Sequence, residues 1–123
     1  MNNDDTKLII AHTNSGAEEL ARKLKGSHFV SAFGTIPSEV LFDVFERRRG
    51  SKKNRPTLIY CGDDRKAKKI AAQLITEIGF ESIDAGPLRI ARYTEPFSLL
   101  IAQLAYEGPN GSEMAYRFEW FAK

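Results

Sequence analysis

The pattern of apolar and polar positions is sharpest between Thr57 and Gly86. Thr57-Leu58-Ile59-Tyr60-Cys61 is a charge-free run rich in β-branched and aromatic side chains, the pattern of a strand covered on both faces. Gly62-Asp63-Asp64 breaks the run, and either aspartate can accept hydrogen bonds from the orphan N–H groups of a following helix. Ala67, Ile70, Ala71, Leu74, Ile75 and Ile78 then recur at helical spacing as one apolar stripe, with Arg65, Lys66, Lys68, Lys69 and Glu77 outside it. Gly79 suits a left-handed C-cap, with Phe80 folding back onto the last turn. Ser82-Ile83-Asp84 reads as a second short strand, stopping at Ala85-Gly86-Pro87. Strand, crossover helix and strand make a βαβ unit, so the two strands are predicted to be parallel.

The flanking segments extend this α/β pattern. Lys7-Leu8-Ile9-Ile10-Ala11-His12 has the propensity of a strand, although an extended lead into the next helix is the alternative. Ser15 caps a helix over about residues 17–24; Ser15 and Glu18 have capping-box spacing, and Leu20 and Leu24 are expected to face the sheet. His28-Phe29-Val30-Ser31-Ala32-Phe33 is apolar enough for a central strand. It ends at Gly34-Thr35, before a helix opened by Pro37 with Val40, Leu41, Val44 and Phe45 on its buried face. Residues 88–106 are predicted to be mostly helical, divided at Pro96, with Thr94 or Glu95 capping the second half. Phe97, Leu99, Leu100, Ile101, Ala102, Leu104 and Ala105 go nearly all round that helix, so part of their burial is expected from another subunit. After a turn at Gly108-Pro109-Asn110-Gly111-Ser112, residues 114–121 alternate with period two, as a final edge strand would.

Several of these stretches also resemble a known family. Cys61-Gly62-Asp63-Asp64, Gly79-Phe80 and Asp84-Ala85-Gly86-Pro87-Leu88 are similar to the C-terminal half of the NADP-dependent F420 reductases, a family that includes the cytosolic reductase domains of membrane metalloreductases. Ser15-Gly16-Ala17-Glu18-Glu19-Leu20-Ala21, Ala32-Phe33-Gly34-Thr35-Ile36-Pro37 and Glu95-Pro96 agree with it in order, from about residue 8 to about residue 118. A length of 123 residues reads as a single domain, and the resemblance implies a partial Rossmann-like, doubly wound sheet, mostly parallel, with helices on both faces, to which the period-two tail adds a C-terminal edge strand. It implies hydride transfer between NADP(H) and F420 or another flavin-type acceptor, and an extended segment at residues 7–12.

In such sheets ligands lie beyond the carboxyl ends of the strands. The residues this places at the cofactor are His12, Thr13, Phe33, Gly34, Thr35, Gly62, Ala85, Gly86 and Pro87. Glycine there lets backbone approach a ring closely, and exposed amides can bond a carboxamide. Hydride transfer asks mainly that two rings be held face to face, so no catalytic triad is needed. Two departures stand out. Gly34 occupies the place where the family usually has asparagine. The glycines at 16, 26, 34, 50, 62, 79, 86, 108 and 111 never give G-x-G-x-x-G, the cradle for the pyrophosphate. Alone, the chain is expected to hold NADP weakly or not at all, and either to self-associate, as a dimer for instance, or to meet an N-terminal half supplied by another chain. The alternative is a non-catalytic association module of the same fold.

Bulk composition narrows the partners. The chain has 123 residues and a net charge of +2, near enough to balance that neither a membrane nor nucleic acid is implied. Six cations stand among residues 47–55, but no aromatic is interleaved for base stacking, so the stretch reads as a solvated loop. One cysteine excludes an intramolecular disulfide, and the polar start together with the lack of a long apolar run points to the cytoplasm. Cys61 reads as a small buried hydrophobe, His12 as a surface or capping residue with a substrate contact as the alternative, His28 as a solvated strand start, and Asp63 and Asp64 as helix caps; no metal set can be assembled.

Overall fold

A computed structural model of the chain describes residues 15–48 and 52–122. The segment 7–12, His12 and Thr13 therefore lie outside the described residues, as does part of the basic loop. The elements are α1 (Gly16–Lys23), β1 (Val30–Ser31), α2 (Ser38–Arg48), β2 (Thr57–Gly62), α3 (Arg65–Ile78), β3 (Glu81–Asp84) and α4 (Ala91–Ala102). A 3-10 turn (Leu88–Ile90) leads into α4 and a π turn (Gln103–Glu107) continues it. The three strands form one sheet in the order β1-β2-β3.

The βαβ unit forms as its sequence dictates. β2 and β3 run parallel, with Thr57 opposite Glu81 and Tyr60 opposite Asp84. Asp64 caps α3 by accepting from the Ala67 N–H at 2.8 Å. Gly79 closes the helix at φ +125°, where only glycine is unstrained, and Phe80 folds back with its N–H on the Ile75 carbonyl and its side chain fully buried. Strand side chains alternate between faces. Leu58 and Tyr60 join Val40 and Val44 of α2, Ile75 of α3, Ile36 and Phe80 in the core. Cys61 points the other way, toward the Leu88 carbonyl. Helices thus cover both faces of an α/β sheet.

β1 departs from the expected central strand. It is two half-buried residues long and antiparallel, pairing Val30 with Gly62 and Ser31 with Cys61, so the sheet is mixed rather than mostly parallel. The cause lies further along the same edge of β2. The Thr57 N–H donates to the Tyr116 carbonyl at 2.7 Å, and the Ile59 N–H donates to the Tyr116 phenol oxygen at 3.3 Å. Phe33, at φ +65°, then turns the chain after β1 away. Residues 114–120 take no regular secondary structure and the chain bends at Phe121, so the expected edge strand becomes a strap that meets β2 chiefly through Tyr116.

Four other expectations change. Pro96 sits inside α4 and does not divide it; buried Ala91 and Ile101 anchor the helix on either side of the lost N–H. Thr94 and Glu95 therefore cap nothing in α4. Leu20 and Leu24 do not face the sheet but are about half exposed, because α1 is held by its polar end against α4. The α3 stripe is split: Ile75 is fully buried, while Ile70 is 61% and Leu74 50% exposed. Phe45 is also exposed, leaving Val40 and Val44 as the buried pair of α2.

Tyr116 bears on stability directly. Its hydroxyl lies 2.6 Å from Thr35 Oγ1 and accepts from Ile59, and burial raises its pKa above the ordinary tyrosine value. Tyr116→Phe leaves both groups without that partner and is expected to lower unfolding free energy by about 1–3 kcal/mol in urea titrations. Because the folded phenol ionises later than the unfolded one, its stabilisation is present below the ordinary tyrosine range, near pH 10, and is lost as pH rises above it. The gap between wild type and variant should narrow there.

Candidate functional site

Residues 62–63 and 84–88 build a corner at the carboxyl ends of β2 and β3. The Ala85 N–H donates to the Tyr60 carbonyl at 2.7 Å and the Gly62 N–H to the Gly86 carbonyl at 3.1 Å, extending the parallel ladder past its last pair. Gly86 turns the chain at φ +120° and gives its N–H to Asp84 Oδ1 at 2.8 Å. Lys68 of α3 reaches over the corner, 2.9 Å from Asp84 Oδ1 and 3.2 Å from the Gly86 carbonyl. Asp63 does not cap α3; its Oδ1 accepts from the Leu88 N–H at 2.9 Å and fixes the start of the 3-10 turn. Gly62, Ala85, Gly86 and Pro87 are therefore brought together as expected.

The chemistry of the corner differs from the expectation. The N–H groups of Gly62, Ala85, Gly86 and Leu88 all have acceptors within the chain, and Pro87 has none to give. They are not exposed amides awaiting a carboxamide. Gly62 is glycine for packing: a Cβ there would stand 3.0 Å from the Phe29 carbonyl and 3.2 Å from Lys68 Cγ and Val30 Cγ2. Recognition at this corner falls to side chains. An open cavity of about 480 Å³ adjoins it, lined by Glu18, Ala21, Arg22, Asp63, Pro87, Leu88 and Arg89.

Phe33, Gly34 and Thr35 lie elsewhere. Antiparallel pairing carries the chain leaving β1 toward the amino end of β2, away from Gly62 and Gly86. Thr35 is buried with its hydroxyl on Tyr116, and Gly34 sits beside Ser98 of α4. The structure thus separates the predicted site into two places, and His12 and Thr13 fall outside the described residues.

A polar clamp holds one wall of the cavity. Ser15 accepts from the Glu18 N–H at 3.1 Å, and its hydroxyl donates to Glu18 Oε1 at 3.0 Å. The Glu95 carboxylate accepts from the Gly16 and Ala17 N–H groups at 2.9 and 3.1 Å, capping α1 from α4. Arg92 forks onto both oxygens of Glu18 at 2.9 and 3.1 Å, and this bonding holds the Glu18 carboxyl below its ordinary pKa. Sequence reasoning did not single out Lys68 or Arg92, whose partners lie far off along the chain, or Arg89, which lines the cavity. Glu95 stood in a recognised stretch, yet its role across helices has no local signature. Cys61 is buried, and burial pushes its thiol up to about 11. Among the described residues no three His, Cys, Asp or Glu side chains converge to hold a metal, and no helix is long and apolar enough to cross a membrane.

Comparison with known proteins gives this geometry a setting. No protein-family model matches the chain. It is 32% identical over 103 residues to the F420-dependent NADP reductase of Methanocaldococcus jannaschii, covering 80% of this chain and 42% of that one. It is 28% identical over 99 residues to the metalloreductase STEAP3 of Rattus norvegicus, covering 80% of this chain and 19% of that one. The chain spans less than half the length of these curated relatives. A crystal structure provisionally named as an F420-dependent NADP reductase of Arthrobacter sp. FB24 superposes with a TM-score of 0.79 at 20% identity, over 93% of this chain and 50% of that one. The fold is Rossmann-like.

Packing at the corner can be tested at Gly62. Gly62→Ala forces the Phe29 backbone and Lys68 to move and is expected to cost about 1–3 kcal/mol of stability in denaturant titrations. In the native wild type Cys61 should resist iodoacetamide at neutral pH, and it should react once the chain is unfolded; mass spectrometry reads both.

Proposed function

We propose that these residues form the ring-facing part of an NADP-dependent oxidoreductase, working with a phosphate-gripping unit that lies outside them. The bound nicotinamide would supply the hydride, and F420 or a flavin-type ring would take it. The observation that carries this reading is the corner at Gly62 and Gly86, which falls within a region 32% identical over 103 residues to a reductase named for NADP and F420. The fit is partial. The cavity beside Asp63 is lined by apolar Ala21, Pro87 and Leu88 together with polar side chains, a mixture suited to a planar ring. Asp63 keeps a second carboxylate oxygen beyond its Leu88 bond, able to accept from a ring amide or carboxamide N–H. Arg89, which also lines the cavity, can face an anionic substituent. A pyrophosphate finds no G-x-G-x-x-G here. Internal bonding of the backbone corner keeps the cavity walls fixed, which favours holding rings in reacting geometry.

A second reading draws on the same satisfied amides: a Rossmann-like module that associates without binding a dinucleotide. Co-expression with the N-terminal portion of the M. jannaschii reductase distinguishes the two. The first reading expects the pair to oxidise NADPH with F420 or a flavin as acceptor, while neither part does so alone, and expects Asp63→Ala to slow that reaction by about tenfold or more. A stable pair that never binds NADPH in calorimetry overturns the first reading and favours the second.

A further inference from the structure

The strap at the carboxyl end of the chain faces β2 along one edge only. Thr57 engages it through the Tyr116 carbonyl and through the Phe118 N–H, which donates to Thr57 Oγ1 at 2.9 Å. With the backbone groups of Tyr116 and Phe118 turned toward Thr57, those of Ala115, Arg117 and Glu119 between and beside them turn away from β2. Among the described residues no hydrogen bond engages them. Side chains alternate too. Tyr116 and Phe118 share one face with ring centroids 5.4 Å apart, while Arg117 and Glu119 pair on the other. Trp120 is 62% exposed and Phe121 nearly fully so. An uncovered, extended, aromatic-rich edge is a template for another strand.

The order of charges selects the occupant. Arg117 and Glu119 flank Phe118 with opposite sign. Under a two-fold axis through Phe118, an antiparallel copy places Arg117 across from the partner's Glu119 and Glu119 across from the partner's Arg117. The same register sets the outward backbone groups of 117 and 119 face to face, as a hydrogen-bonded antiparallel pair requires. It also brings Phe118 against its own counterpart, with Tyr116 opposite the partner's Trp120. A strand of arbitrary sequence would meet these charges at random, whereas this one is complementary to itself, as an isologous contact demands. We propose that residues 116–120 are a self-pairing strand, and that the chain dimerises by antiparallel addition of this segment to the same segment of a second copy.

Charge exchange tests the register in the full chain. The wild type is expected to sediment as a dimer. Arg117→Glu sets like charges across both symmetric positions, and so does Glu119→Arg; each is expected to weaken self-association on the order of tenfold or more. Both side chains are substantially exposed, and circular dichroism confirms that each variant is folded. An equimolar mixture of the two variants restores opposite charges across the pair and should sediment as a heterodimer at wild-type strength. That recovery separates a contact between copies from loss of the ion pair within one. A wild type that stays monomeric to its solubility limit overturns the proposal. So does a dimer indifferent to both substitutions, or a mixture that fails to recover.

Discussion

The backbone of β2 has hydrogen-bonding groups along two edges and almost no water to satisfy them. Five of its six residues are buried, and an unpaired amide there would cost a few kcal/mol. Toward β3 the parallel ladder serves, prolonged by Ala85 and Gly86 beyond the last strand pair. Toward the other edge β1 supplies only two residues. Tyr116 serves the remainder, its carbonyl taking Thr57 and its phenol taking Ile59. One side chain thereby stands where a neighbouring strand would, and its other bond reaches Thr35. The position of the strap, the shortness of β1 and the burial of Thr35 all follow from this one requirement.

The helices on the Cys61 face are joined differently. Glu95 caps α1 from a distant helix and Arg92 grips Glu18, so α1 is docked by charge at its first turn rather than by its apolar stripe. Arg92 and Glu18 are both largely shielded, and such a forked pair fixes direction as well as distance. That explains how Leu20 and Leu24 remain half exposed in a well-positioned helix. It also sets the wall of the cavity, since Ala21 and Arg22 lie on α1 and face the Pro87–Leu88 turn.

The βαβ unit was legible because every local signal agreed: a charge-free strand, an aspartate cap, a helical stripe and a glycine stop each specify the same element. Where the reading failed, a remote partner decided the outcome. The propensity of residues 28–33 could not reveal that Tyr116, some eighty positions on, takes half the edge they would need. Pro96 is a helix breaker locally, but packing at Ala91 and Ile101 outweighs the single bond it removes. The period-two pattern of residues 114–121 implied a final strand, and no regular strand forms there. The glycines and the Asp84–Pro87 turn marked residues that the fold does bring together at one corner. What they could not disclose was that its amides are already spoken for, or that Asp63 rather than Asp64 is diverted from α3 to Leu88.

That internal satisfaction has a consequence for how such a corner could work. Binding energy for a dinucleotide comes largely from its phosphates, and these residues contain no glycine-rich turn to receive them. A rigid corner with satisfied amides adds little grip of its own, yet it loses little entropy when a ring arrives. Positioning and affinity would then reside in separate parts, the fixed cavity wall aligning a ring whose tail is held elsewhere. The exposed Ile70 and Leu74 on α3 fit the same division, since an apolar stripe left half bare is suited to contact outside the described residues. On this view the satisfied backbone is a condition for alignment rather than evidence against a ligand, because walls that must not move cannot also be waiting to form their bonds.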